Sequence, residues 1–209
     1  MTAFSEQYKD VIVEPLYDTV LYPAAGATLM SYFILQLGQG NTCFQTAVAL
    51  PGLAGLAKTK ADTNMQLAGQ LSAGYYFKLL GFSVQPTFDV SDADLHTLWN
   101  GGVFTFSSLA KDFLTVPMRK IPQSNGPMGS GASMNSSGYP LLKNVYSIGN
   151  QPLDIGPSQV FGVTLTWPSG QLHPATTADG TIGVPVVGGH LVGLPLTVYL
   201  DGFKYRPIQ

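Results

Sequence analysis

From residue 19 to residue 57 the chain carries no charged side chain, and the run is bounded by Asp18 and Lys58. A run that long raises the question of a membrane span. Pro23, Gly26, Gly38, Gly40, Asn41, Gln45, Pro51, Gly52 and Gly55 break it up too often for a transmembrane helix. Three more charge-free gaps follow, from Ile121 to Leu142, Ile155 to Ala178 and Gly180 to Leu200, so the shortage is not confined to one buried element. Charged residues make up 11% of the chain, against about a quarter in an ordinary soluble domain. Much of the surface must therefore be uncharged polar, or covered by other protein.

The apolar content is ample. Hydrophobic residues reach 45%, with 11 Phe, 10 Tyr and 2 Trp among 209 residues, enough for one core and too many for a disordered chain. We expect an N-terminal arm over residues 1–10 and one domain over residues 11–209. A formal charge of −2 with no Lys/Arg cluster leaves no footprint for a phosphate backbone or an anionic bilayer. Cys43 is the single cysteine, which excludes an internal disulfide and a multi-cysteine zinc site. The start, with Glu6, Lys9 and Asp10, lacks the basic and apolar regions of a signal peptide, so secretion by that route is not expected.

The pattern along the chain is strand-like: short runs rich in Val, Ile, Phe, Tyr and Thr, separated by Gly, Pro, Asn and Ser. Expected strands are Val11–Tyr22, Ser31–Leu37, Thr63–Leu67, Tyr75–Gln85, Val103–Ser107, Phe113–Ile121, Val160–Trp167 and Leu196–Tyr205. Leu196, Val198 and Leu200 alternate with Thr197 and Tyr199, which marks a strand with one face on a core. The two runs around residues 103–121, linked by Leu109 to Asp112, read as a hairpin. Pro117 lacks a ladder donor and so places its strand at an edge or a bulge. One short helix is expected, capped by Ser91 with Asp92 and Asp94 in its first turn, Leu95, Leu98 and Trp99 as its apolar stripe, and Gly101 and Gly102 at its end. Residues Pro122–Tyr139 and Pro168–Gly180 read as long loops. Eight strands in one domain point to an all-β sandwich or barrel.

No constellation of catalytic groups stands out. His96, His173 and His190 are dispersed, without the spacing of a metal pair. Gly129-Ser130-Gly131 lacks the spacing of a nucleophile elbow. Cys43 has no histidine near it in sequence and reads as a small buried group. Two Glu and ten Asp are scattered, with no pair singled out for glycosidase chemistry. The glycines at 38, 40, 101, 102, 188 and 189 fit turns rather than a phosphate-binding loop. Asn135-Ser136-Ser137 matches a glycosylation sequon, which has meaning only in a secretory pathway. Tyr75, Tyr76, Phe77, Phe82 and Phe88 could stack against a sugar, but strand aromatics more often fill a sandwich core. We therefore expect no catalytic, cofactor-binding or metal-binding residues, and no cofactor or small-molecule ligand.

Four stretches carry a resemblance: TNMQLAGQLSAGYYFKLLGFSV at 63–84, FTFSSLAKDFLTVPMRKIP at 104–122, FGVTLTWPSG at 161–170 and LTVYLDGFKYRPIQ at 196–209. Their order resembles single jelly-roll capsid proteins and other virion structural proteins of bacteriophages and related viruses. The resemblance implies an eight-stranded jelly-roll β-sandwich with one short helix and long loops. It implies a capsid subunit without enzymatic activity, made in the host cytoplasm and residing in the virion, whose partners are copies of itself and other virion proteins. A capsid-decorating or vertex protein, or a carbohydrate-binding β-sandwich used in receptor attachment, would share the composition. An interface core depleted of charge fits the first two.

Overall fold

The computed structural model describes residues 10–22, 27–41, 43, 57–86, 98–122, 145–149, 152–168, 186–187, 190–191 and 194–206. Twelve strands lie among them: β1 (Asp10–Ile12), β2 (Leu16–Tyr22), β3 (Leu29–Tyr32), β4 (Tyr76–Pro86), β5 (Val103–Ser108), β6 (Lys111–Pro117), β7 (Tyr146–Ser147), β8 (Leu153–Ile155), β9 (Phe161–Thr166), β10 (Val186–Val187), β11 (His190–Leu191) and β12 (Leu194–Arg206). All strand pairings between them are antiparallel, and they build two main sheets. One is four strands wide in the order β3-β9-β5-β6. In the other, β12 and β4 lie side by side at the centre, with β1 and β2 along the free edge of β12 and β7 and β8 along the free edge of β4. A small hairpin of β10 and β11 stands apart. The architecture is an all-β sandwich.

The period-2 pattern explains how the sheets meet. Leu196, Val198 and Leu200 of β12 and Phe82 and Val84 of β4 are fully buried on one side. Facing them are Phe104 and Phe106 of β5 and Val163 and Leu165 of β9, also fully buried. The Phe82 ring contacts Phe104 edge-on at 5.3 Å between centroids and Phe106 at 5.2 Å. Aromatic pairs of this kind add about 0.5–1.5 kcal/mol each beyond the burial of their area. At the end of the sandwich Trp167 packs on Tyr22 at 5.2 Å. The Trp167 indole donates to the Leu98 carbonyl and the Trp99 indole to the Ile121 carbonyl, both at 3.1 Å. Residues 98–101 are helical, so these two bonds tie the end of the short helix to both the sandwich and the segment after β6.

On β4 the buried positions change parity, from Phe77 and Leu79 to Phe82 and Val84. A strict alternation would turn one of these sets to the outside. A bulge resolves the conflict: Asp201 lies opposite Gly81 and Gly202 opposite Leu79, leaving Leu80 as the extra residue. The close approach at the bulge requires glycine on both strands, since a Cβ at 202 would overlap the Lys78 carbonyl oxygen and one at 81 the Tyr146 carbonyl oxygen.

Several expected elements differ in extent. Val11–Tyr22 is two strands, because Pro15 has no N–H for the ladder. Pairing with β12 lapses over residues 13–15 and resumes in the same register, with Leu16 opposite Leu200 and Ile12 opposite Lys204. Asn64 fills the gap by accepting from the Tyr17 N–H and donating to the Pro15 carbonyl. Asp10, expected in an arm, pairs with Arg206 in β1. Ser31–Leu37 stops at Tyr32, since Phe33 has φ +66°, off the strand path. Thr63–Leu67 makes isolated bridges only. Phe113–Ile121 ends as a strand at Pro117 and continues as a 3-10 turn over Met118–Lys120. The hairpin turn is Leu109–Ala110 alone, two residues rather than four. Strands β7, β8, β10 and β11 are too short to give a sequence pattern. Residues 1–9 of the expected arm, residues 91–97 of the expected helix, and residues 123–139 and 169–180 of the expected loops lie outside the described residues.

Gly202→Ala is expected to lower stability by roughly 1–3 kcal/mol, the usual range for overpacking. The measurement is a urea midpoint, which should fall with little change in m-value. An unchanged midpoint would mean that the two strands do not approach so closely in solution.

Candidate functional site

The two charges that bound the uncharged run meet inside the protein. Asp18 projects from β2 and is fully buried, and Lys58 is 5% exposed. Lys58 Nζ lies 2.6 Å from Asp18 Oδ1 and donates to the Thr19 carbonyl at 2.8 Å. The other carboxyl oxygen, Oδ2, accepts the Phe33 N–H at 2.6 Å. The Thr63 hydroxyl lies beside this cluster and donates to the Tyr17 carbonyl at 3.0 Å. Burial raises the Asp18 carboxyl above the ordinary aspartate value, more than the Lys58 charge and the hydrogen bonds from Lys58 and Phe33 lower it.

Asp62 organises the neighbouring turn. Its carboxylate accepts the Cys43 N–H at 2.6 Å, the Thr59 N–H at 2.8 Å and the Thr59 hydroxyl at 3.0 Å, and its carbonyl accepts the Thr19 N–H at 2.8 Å. The Cys43 thiol is pushed up to about 12, first by burial and next by the Asp62 charge. It stays a thiol at neutral pH and is a poor nucleophile. Cys43 is half-buried rather than fully buried as expected from sequence. The cluster staples the connection through residues 57–65 onto β2.

Among the described residues no group of three or more His, Cys, Asp or Glu is placed to hold a metal ion. His190 lies in β11 opposite Val187, while His96 and His173 fall outside the described residues. Phe77 and Phe82 are buried in the core, and Tyr75 and Tyr76 are half-buried, so the four do not form an exposed stacking platform. Phe88 is outside the described residues. No helix among them is long and apolar enough to cross a membrane.

The surface offers more. β6 ends the four-stranded sheet, as Pro117 suggested, and no described strand pairs with its outer side. Its bulge falls at Phe113 rather than at Pro117, because Phe106 lies opposite Leu114 and Ser107 opposite Asp112. Leu109 and Ala110 have φ of +51° and +61°, the mirror-image turn that normally selects Asn-Gly. Two residues with a Cβ in this region cost on the order of 1–3 kcal/mol each. The strained turn holds Leu109 outward at 61% exposure, with Phe113 at 50% and Val160 at 59%. Leu109 N–H donates to the Val160 carbonyl at 2.9 Å, and Phe161 N–H to the Gly69 carbonyl at 2.8 Å. Leu109, Val160 and the turn near Gly69 thus share one end of the sandwich. β3, at the opposite edge of this sheet, exposes Leu29, followed by exposed Ile34.

Compared with protein-family models, with curated proteins and with solved structures, the chain matches none of them.

One polar group on the outer side of the central sheet gives a pH test. Burial raises the Asp201 carboxyl above its ordinary value of 3.8, opposed only by a 3.3 Å hydrogen bond from the Ser83 hydroxyl. The folded chain then holds this proton to higher pH than the unfolded chain, so the group costs stability as pH rises above 3.8 through the folded value. Asp201→Asn is expected to match the wild type in urea titrations at pH 3 and to exceed it increasingly towards pH 7. Parallel curves at all pH values would show that Asp201 titrates normally.

Proposed function

We propose that the chain is a virion structural protein, a jelly-roll capsid subunit that assembles with copies of itself into an icosahedral shell. The observation that carries this reading is the strand order. When β1 and β2 are counted as one broken strand and β7 and β8 as another, eight strands line the two sheets. In chain order, the first of these pairs with the eighth, the second with the seventh, the third with the sixth and the fourth with the fifth. This order supports reading the chain as a long antiparallel ribbon rolled into a sandwich, the winding of a jelly roll.

The surface supports the assembly role. Few charges are available to solvate it, and exposed apolar residues concentrate at the hairpin tip and the sheet edges. The strain at Leu109–Ala110 is maintained at a tip that presents an apolar side chain to solvent, which suits a contact between copies. Many weak contacts of this kind hold a closed shell, since each raises the effective concentration for the next. A decorating or vertex protein on a pre-formed lattice would use the same surfaces, and a glycan-binding module would need an aromatic platform elsewhere. In this reading the protein works in the virion, after synthesis in the host cytoplasm, alongside other virion proteins and without sequence-specific binding to nucleic acid.

Light scattering of the purified chain is the test. Trimers, pentamers or larger assemblies are expected at micromolar concentration, and Leu109→Asp with Phe113→Asp should shift the mass towards the monomer with unchanged circular dichroism. A wild type that stays monomeric at every concentration would remove the self-assembly reading and favour decoration of a lattice made by another protein.

A further inference from the structure

The Asp18–Lys58 contact has the features of a reacting pair as well as those of an ion pair. We infer that Lys58 and Asp18 condense within the folded chain to a buried amide cross-link between the lysine Nζ and the aspartate Cγ. The inference is independent of the capsid reading.

The geometry is that of a primed condensation. Lys58 Nζ stands 2.6 Å from Oδ1, one C–O bond from the carbon to be attacked, and its bond to the Thr19 carbonyl fixes its direction. Oδ2 is held at 2.6 Å by the Phe33 N–H, which is where negative charge gathers when nitrogen adds to the carbon. That donor is presented by a backbone in a rarely used conformation, φ +66° at a fully buried phenylalanine whose ring packs on Phe161 at 5.6 Å. Such strain persists where the surroundings enforce it and concentrates at functional positions. Close by, the Tyr32 hydroxyl is buried and has no hydrogen-bond partner among the described residues, near enough for the Asp18 charge to raise it further.

A proton transfer within the pair prepares the attack. An isolated ion pair out of water is expensive, and moving the proton from the ammonium to the carboxylate gives a neutral amine beside a neutral acid. The raised Asp18 carboxyl points the same way. The nitrogen lone pair then attacks Cγ and the C–N bond forms. Oδ1, carrying the acid proton, takes a second proton from the nitrogen and departs as water. The product keeps Oδ2 as the amide oxygen on the Phe33 N–H and one N–H for the Thr19 carbonyl. No oxidant, reductant or other reactant is involved. Fixed proximity is worth effective concentrations of order 10⁵ M or more, which compensates for the slowness of amide formation between free groups.

The test is intact-mass spectrometry of the purified, folded full chain after denaturation, followed by peptide mapping. The wild type should be lighter than its sequence by one water, with the peptide containing Asp18 joined to the peptide containing Lys58. Lys58→Arg should run at its full sequence mass. Asp201-Gly202 can also lose a water by closing to a succinimide, so the joined peptide decides between the two. A wild-type chain of full mass after prolonged incubation, with Lys58 open to acetylation once unfolded, would overturn the proposal and leave an ion pair only. The wild-type map decides the matter even if Lys58→Arg does not fold.

Discussion

The sandwich depends on β12, the last described strand, lying between the first and the middle of the chain. It bonds β1 and β2 along one side and β4 along the other, so both long strands of the central sheet take their register from it. Leu16 lies opposite Leu200, and such a pairing cannot form until the chain has been made through residue 200. The entropy of closing so long a loop grows only with the logarithm of its length, so the final stability suffers little while the folding rate suffers more. Once β12 is seated, Leu196, Val198 and Leu200 fix one wall of the core, and the bulge at Leu80 allows β4 to follow it on both sides of the kink.

Scarce charge makes the placement of each charge consequential. Arg206 grips Asp10 through both Nε and Nη2, at 2.9 and 2.8 Å, which fastens β1 to the end of β12. Lys204 reaches Glu14 at 3.5 Å and lies 5.1 Å over the Tyr75 ring. These exposed or half-exposed pairs contribute modestly. The Asp18–Lys58 contact is different in kind, because both groups lie in the interior and a change at either position leaves the other buried without its partner. It pins the far end of the uncharged run back to the strand where the run begins.

The long strands were legible because their alternation is long: β12 around Leu196, Val198 and Leu200, and β5 around Phe104 and Phe106, sit where the pattern put them. The all-β class follows from the same signal. Pro117 marked an edge through its missing donor, and Pro15 carried the same information about the break between β1 and β2. The short strands β7 and β8 were not legible, since two or three residues do not define a period. Nor was the turn at Leu109–Ala110, whose residue types argue against the backbone they adopt. The Asp18–Lys58 contact joins positions far apart in sequence, and only the fold brings them together. Its one trace in the sequence is that these two charges bracket a long run with none.

The central claim is that the sheet edges and apolar tips are covered by copies of the same chain. Electron microscopy of the concentrated, purified protein tests this directly. Closed particles or rings of uniform size, with neighbouring sandwiches meeting at the β5–β6 tip and the sheet edges, are the predicted result. A field of separate 22 kDa subunits, or aggregates without symmetry, would contradict it.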